Sequence, residues 1–157
     1  MAQTQSNRIQ LIISAALSGG SIGLSSISSS ILENIQSSFT ADACDSVYTV
    51  SGTVAGGGSD SYDLAGALTN PLGQAVTFAE VMAVFVRCNT AAAGFTVGGA
   101  TNILMLAAGD VVNLNDGAYF LWVNEVGIAV GAAASDLITI TGTAGDTYDL
   151  IVIGSTT

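Results

Sequence analysis

The chain has 157 residues, half of them apolar, and sets 12 acidic residues against two arginines, with no lysine and no histidine, for a net charge of −10. So few cations cannot displace phosphate counterions, which excludes nucleic acid and anionic membranes as partners. The missing histidine removes the base of any Ser–His–Asp or Cys–His centre. The length suits a single domain with a real core, and no run of about 18 uninterrupted apolar residues offers a membrane-spanning helix.

In chain order, residues 1–6 are polar and predict a flexible N-terminal arm, followed by one β-sandwich domain over 7–157. Arg8–Leu17 alternates through Ile9, Leu11, Ile13, Ala15 and Leu17, the period of a strand, and lacks the Lys/Arg-rich start of a signal peptide. Ser21–Phe39 is serine-rich. Its Ile27, Ile31, Ile35 and Phe39 suit a helix by spacing but also share one face of a strand, and serine is a poor helix former, so extended structure is expected. Thr40–Ser46 reads as a loop carrying Asp42 and Asp45, and Val47–Val54 as a β-branched strand. The glycines of Ala55–Asp60 form a turn; a phosphate loop would need a following helix and lysine.

Ser61–Asn89 organises the rest. Ser61–Leu64 is a strand, Thr69–Gln74 a turn with Pro71 at its corner, and Phe78–Val81 a single helical turn. The strongest apolar run follows. Alternation places Val81, Ala83, Phe85 and Arg87 on one face and Met82, Val84, Val86 and Cys88 on the other. Both faces are largely apolar, which predicts a central strand buried between two layers.

Beyond Asn89, short strands are expected at Phe95–Val97, Ile103–Leu106 and Val111–Leu114, the last two flanking an Ala107–Asp110 turn. Asn115–Gly117 is a hairpin signal, because these residues tolerate positive φ. Tyr119–Asn124 is an aromatic strand, and Leu137–Thr141 and Thr147–Gly154 close the chain. Turns arrive about every ten residues, the rhythm of an all-β, single-domain sandwich or jelly roll of about 8–10 strands.

Little in this pattern carries chemistry. Paired carboxylates could serve glycoside hydrolysis, but none of the acidic residues sits in such a setting, and no catalytic residue is assigned. Calcium is the metal that oxygen-rich turns would suit, with Asp42 and Asp45, Asp60 and Asp63, or Asn113, Asn115 and Asp116 as candidate ligands. None has the spacing of a dedicated loop, so turn capping is the stronger reading and no cofactor is expected. Cys88 reads as a small apolar residue, and a disulfide to Cys44 needs neighbouring strands. Trp122, Tyr119 and Phe120 could stack on a sugar, although core or subunit packing accounts for them better. The SYDL at Ser61 and TYDL at Thr147 look alike, each with a tyrosine to pack and an aspartate to cap the preceding turn.

Taken together, YDL, LTNPLGQAVTFAEVMAVFVRCN, FTVGGATN, the AAGD turn, ITITGTAG and the terminal TYDLIVIG give residues 60–154 a likeness to known proteins. This stretch resembles a group of small virion proteins of tailed bacteriophages, compact β-sandwiches attached to capsids or fibres. The resemblance implies a non-enzymatic capsid decoration (cement) protein on the outer surface of the head, made in the host cytoplasm and acting as a homo-oligomer, a trimer above all, on the major capsid protein. The alternative it implies is a receptor- or glycan-binding module of a fibre or tail tip, which would need Trp122 or a neighbouring aromatic exposed. Residues 1–6 or Ser21–Phe39 would be the arm that attaches to a neighbouring subunit.

Overall fold

The computed structural model describes residues 8–13, 33–38, 46–56, 58–66, 68–70, 73–99, 104–132 and 136–156. The chain divides into two compact units, Met1–Ala41 and Asp42–Thr157. In the first, β1 (Arg8–Ile13) runs antiparallel to β2 (Glu33–Ser38), with Leu11 opposite Ile35. Glu33–Ser38 is therefore extended, as serine content argued and the four-residue spacing did not. The expected arm at residues 1–6, the rest of the Ser21–Phe39 segment, and Cys44, Asp42, Asp45 and Pro71 lie outside the described residues.

The second unit is all-β. Its strands are β3 (Ser46–Thr53), β4 (Ser59–Asp63), β5 (Leu68–Thr69), β6 (Ala75–Val76), β7 (Glu80–Thr90), β8 (Phe95–Gly98), β9 (Val111–Leu114), β10 (Tyr119–Ala129), β11 (Leu137–Thr141) and β12 (Thr147–Ser155). Two four-stranded sheets have the orders β10-β7-β12-β3 and β4-β11-β8-β9, and β5 and β6 form a small ribbon. Leaving that ribbon aside, the antiparallel pairs are nested: β3 with β12, β4 with β11, β7 with β10, β8 with β9. A long hairpin whose paired arms roll up into two facing sheets is a jelly roll.

The core lies between the sheets. Val84, Val86 and Cys88 of β7, Leu150 and Val152 of β12 and Tyr48 of β3 meet Ile138 and Ile140 of β11, Phe95 and Val97 of β8 and Leu114 of β9. Burial raises the Cys88 thiol pKa, with Asp116 and Asp146 adding to it, so this cysteine serves as a small core residue. Buried Asp146 accepts the N–H groups of Thr143 and Ala92, and Asp116 accepts that of Ala91, which ties the loops together at one end of the roll.

The central strand departs from strict alternation. Against β12, Ala83 pairs with Ile153 but Val81 pairs with Gly154, so Met82 is an extra residue in β7. Such a bulge turns the side chains before it to the opposite face. Val81 therefore joins Val84 and Val86 in the core instead of sharing a face with Ala83. On the other side β10 breaks its ladder between Val123 and Ile128 at the same level. The bulge brings β7 and β12 so close that a Cβ on Gly154 would lie 2.1 Å from the Glu80 carbonyl oxygen, a position only glycine can fill.

Four local expectations are corrected. Phe78–Val81 is not a helical turn: the Phe78 N–H bonds to the Leu64 carbonyl, that of Ala79 to the Ser155 carbonyl, and Glu80 already begins β7. Leu104–Leu106 bends and forms no strand, with Leu104 buried as a plug. Asn115–Gly117 does turn the chain, with Gly117 at φ 72°, but it joins β9 in one sheet to β10 in the other and makes a corner instead of a hairpin. The strand Val81–Asn89 is not buried on both faces throughout, since Phe85 is half-buried and Arg87 exposed.

The two YDL tyrosines meet across the core. Tyr148 of β12 donates to Asp60 Oδ2 of β4 at 2.7 Å, and the hydroxyls of Tyr148 and Tyr62 lie 2.6 Å apart. The single proton of Tyr148 goes to the carboxylate, so Tyr62 donates to Tyr148. Their aspartates do not cap preceding turns. Asp63 accepts the following N–H groups of Ala65 and Gly66, and Asp149 lies mid-strand, bonded to Ser51 and Asn89.

This chain of phenols sets an alkaline limit. Burial raises the pKa of Tyr148 far above the ordinary phenol value, helped by its bonds to Tyr62 and Asp60, and burial raises Tyr62 and Tyr48 as well. As pH climbs past about 10 the unfolded chain sheds phenol protons that the folded chain keeps, so stability is full below that pH and falls above it. Urea melts taken from about pH 8 to 11 should show that decline, and Tyr148→Phe should flatten it. A wild-type midpoint constant across this range would show that the tyrosines titrate as though exposed.

Candidate binding face

With even-numbered residues of β7, β10 and β12 turned inward beyond the bulge, the odd-numbered ones form the outer face of the β10-β7-β12-β3 sheet. Strand register arranges them in rows that cross all four strands. One row reads Tyr119, Arg87, Asp149, Ser51; the next Leu121, Phe85, Ile151, Thr49; the third Val123, Ala83, Ile153, Val47. A polar row thus borders two rows that are apolar except at Thr49. Ala83 and Ile153 are buried, and Leu121, Phe85, Ile151, Val123 and Val47 are half-buried. Glu80, paired with Ala129 and Ser155, stands beyond the third row.

The polar row is ordered by its own bonds. Ser51 Oγ donates to Asp149 Oδ1 at 2.6 Å and Asn89 Nδ2 donates to Oδ2 at 2.9 Å. These two bonds first, and then the nearby Arg87 charge, hold the Asp149 carboxyl below the usual carboxylate range. Arg87 is exposed and its guanidinium, among the described residues, has no hydrogen-bonded partner. Beside it Tyr119 is 51% exposed and stacks on Phe85, ring centroids 5.9 Å apart and planes inclined by 28°. A depression of about 400 Å³ lies along this border, lined by Thr49, Ser51, Phe85, Arg87, Asp149 and Ile151.

The residues singled out in the sequence fare differently. Trp122 and Phe120 point inward and pack half-buried against the core, so the exposed aromatic is Tyr119. Asp60 and Asp63 stand on opposite faces of β4 and are engaged by Tyr148 and by the Ala65–Gly66 turn; Asp116 holds Ala91. Among the described residues no three Cys, Asp or Glu side chains converge as metal ligands would. The row itself was missed in the sequence. Its signals were the arginine that interrupts an apolar alternation at position 87 and the aspartate that interrupts another at 149.

No family model matches the chain, and neither does any curated protein or solved structure.

Proposed function

We propose that this chain is a non-enzymatic structural protein that works by assembly, as a capsid decoration protein of a tailed phage, on the outer surface of the head and in contact with the major capsid protein. The observation that supports this is the half-buried apolar row Leu121–Phe85–Ile151, with half-buried Val123 and Val47 in the next row, on the sheet face turned away from the core. Cores of subunit interfaces are depleted in charge and rich in such side chains. The jelly roll adds fold-level analogy only, since it recurs in capsid and lectin domains alike. With ten net negative charges, copies repel one another except where an apolar face meets its like.

The test is the mass of the full chain in solution. Sedimentation should give a homo-oligomer, a trimer by expectation, and Ile151→Asp should shift it toward folded monomer by at least about tenfold in dissociation constant, because a carboxylate would be buried in an apolar contact. Heads lacking the protein should break at lower temperature than complete ones. A wild-type chain that stays monomeric at every concentration, with heads equally stable without it, overturns the reading.

A second reading, a glycan-binding module of a fibre or tail tip, is favoured by one observation: the exposed Tyr119 ring beside Arg87 and Asp149.

A further inference from the structure

We infer that the row Tyr119–Arg87–Asp149–Ser51 is a binding site for a neutral oligosaccharide laid across the strands. The inference deepens the second reading and rests on it. A pyranose offers an apolar C–H face and a rim of hydroxyls, so a site for it needs an aromatic ring next to paired donors and acceptors. This row supplies them in order. Tyr119 is propped by Phe85 behind it, which fixes the ring before any ligand arrives and reduces the ordering cost of binding. Arg87 follows as a donor with no partner among the described residues, and Asp149 as a carboxylate kept ionised by Ser51 and Asn89. A cation and an anion on adjacent strands can take neighbouring hydroxyls of one sugar, the guanidinium giving and the carboxylate accepting.

The dimensions agree. Adjacent strands lie about 4.8 Å apart, so a row over four of them spans roughly 14 Å, the length of a short saccharide with about one ring per strand. The depression of about 400 Å³ takes in Arg87, Asp149 and Ser51 of the row, with Tyr119 outside its lining, and its volume falls within the usual range of ligand sites, about 300–1,000 Å³. Charge selects the class. A polyanionic glycan would meet Asp149 and a net charge of −10 with a single arginine in the row, while a wholly apolar ligand would strip water from Arg87 and Asp149 without replacing their hydrogen bonds.

The experiment is binding of the full-length chain to immobilised oligosaccharides, neutral hexose di- to tetrasaccharides beside sialylated and uronic ones, followed by calorimetry on those retained. Expected is retention of neutral members. Tyr119→Ala and Asp149→Asn should each weaken binding at least about tenfold. Val126→Ala, at an exposed valine away from the row, should leave it unchanged, and melting temperatures would confirm that each variant is folded. Neutral saccharide binding that survives both row substitutions overturns this site and leaves the glycan reading standing. Retention of acidic members alone overturns the assigned class. No retention of any member overturns both the site and the glycan reading, and none of these outcomes alters the oligomer mass on which the assembly reading depends.

Discussion

Gly52→Ala should cost this protein about 3 kcal/mol of stability, more than most single methyl groups cost anywhere. A Cβ at Gly52 would stand 2.3 Å from Cζ and 2.4 Å from the hydroxyl oxygen of Tyr148. A ring with room to swing could give way, but this one is held at both ends. Its hydroxyl is bonded to Asp60 and Tyr62, and its ring packs tilted on Phe95 at a centroid distance of 6.0 Å. Moving the ring breaks the polar chain between the sheets and leaves polar oxygens inside without partners, which adds a desolvation penalty to the overpacking. Chemical melts of the two proteins measure the difference. The mechanism has its own signature in a double variant: with Tyr148→Leu already present, adding the Gly52 methyl should cost less than about 1 kcal/mol, because the obstructing ring is gone. Equal costs in both backgrounds would place the strain elsewhere.

Phe95→Ala should be at least as damaging, at about 3–5 kcal/mol. Phe95 is wholly buried at the start of β8, opposite Leu114 of β9, and packs on Tyr148 from the facing sheet. It thus touches both layers, and its removal leaves a cavity that neither rigid sheet can close. Natural domains hold only about 5–15 kcal/mol in all, so the variant should show a much lower denaturant midpoint or collect as insoluble protein. Phe95→Leu should recover most of the loss by refilling the space. An unfolding free energy within about 0.5 kcal/mol of wild type for Phe95→Ala would mean that the core is packed more loosely than its burial indicates.

What could be read from the sequence, and what could not, follows from how far apart the interacting residues lie. Strands at Val47–Val54, Phe95–Val97 and Thr147–Gly154 were legible because alternation and glycine-rich turns are local signals, and their rhythm was enough to indicate an all-β sandwich. That Val84, Val86 and Cys88 share a face was legible for the same reason, but not that the opposite face, with Phe85 and Arg87, turns outward. The bulge at Met82 was not. It exists because β7 gains one residue relative to β12, and nothing within β7 announces it. The NDG turn looked like a hairpin because turn chemistry reports that the chain reverses, not which sheet receives it. The polar row was hidden most thoroughly. Asn89 and Asp149 are bonded to each other across 60 positions of sequence, and Ser51 and Asp149 across 98. Alternation separated Tyr119 from Phe120 and Trp122 but could not say which face is the core; the structure turns Trp122 inward and Tyr119 outward.

The nested pairing has a consequence for how the molecule comes into being. β12, the latest of the described strands to leave a ribosome, is not an edge: it lies between β7 and β3 and supplies the only neighbour that β3 has in its sheet. Until it emerges, β3 has no strand to bond to in its sheet, and β7 offers one bare side, so that sheet waits for β12. The innermost pair, β8 with β9, can close early over a short span, and zippering then proceeds outward through loops of growing length, each more expensive in chain entropy than the last. Until β12 is made, a nascent chain of this design is exposed to strand-swapping with its neighbours, and a polysome crowded with identical copies is where that exposure is greatest.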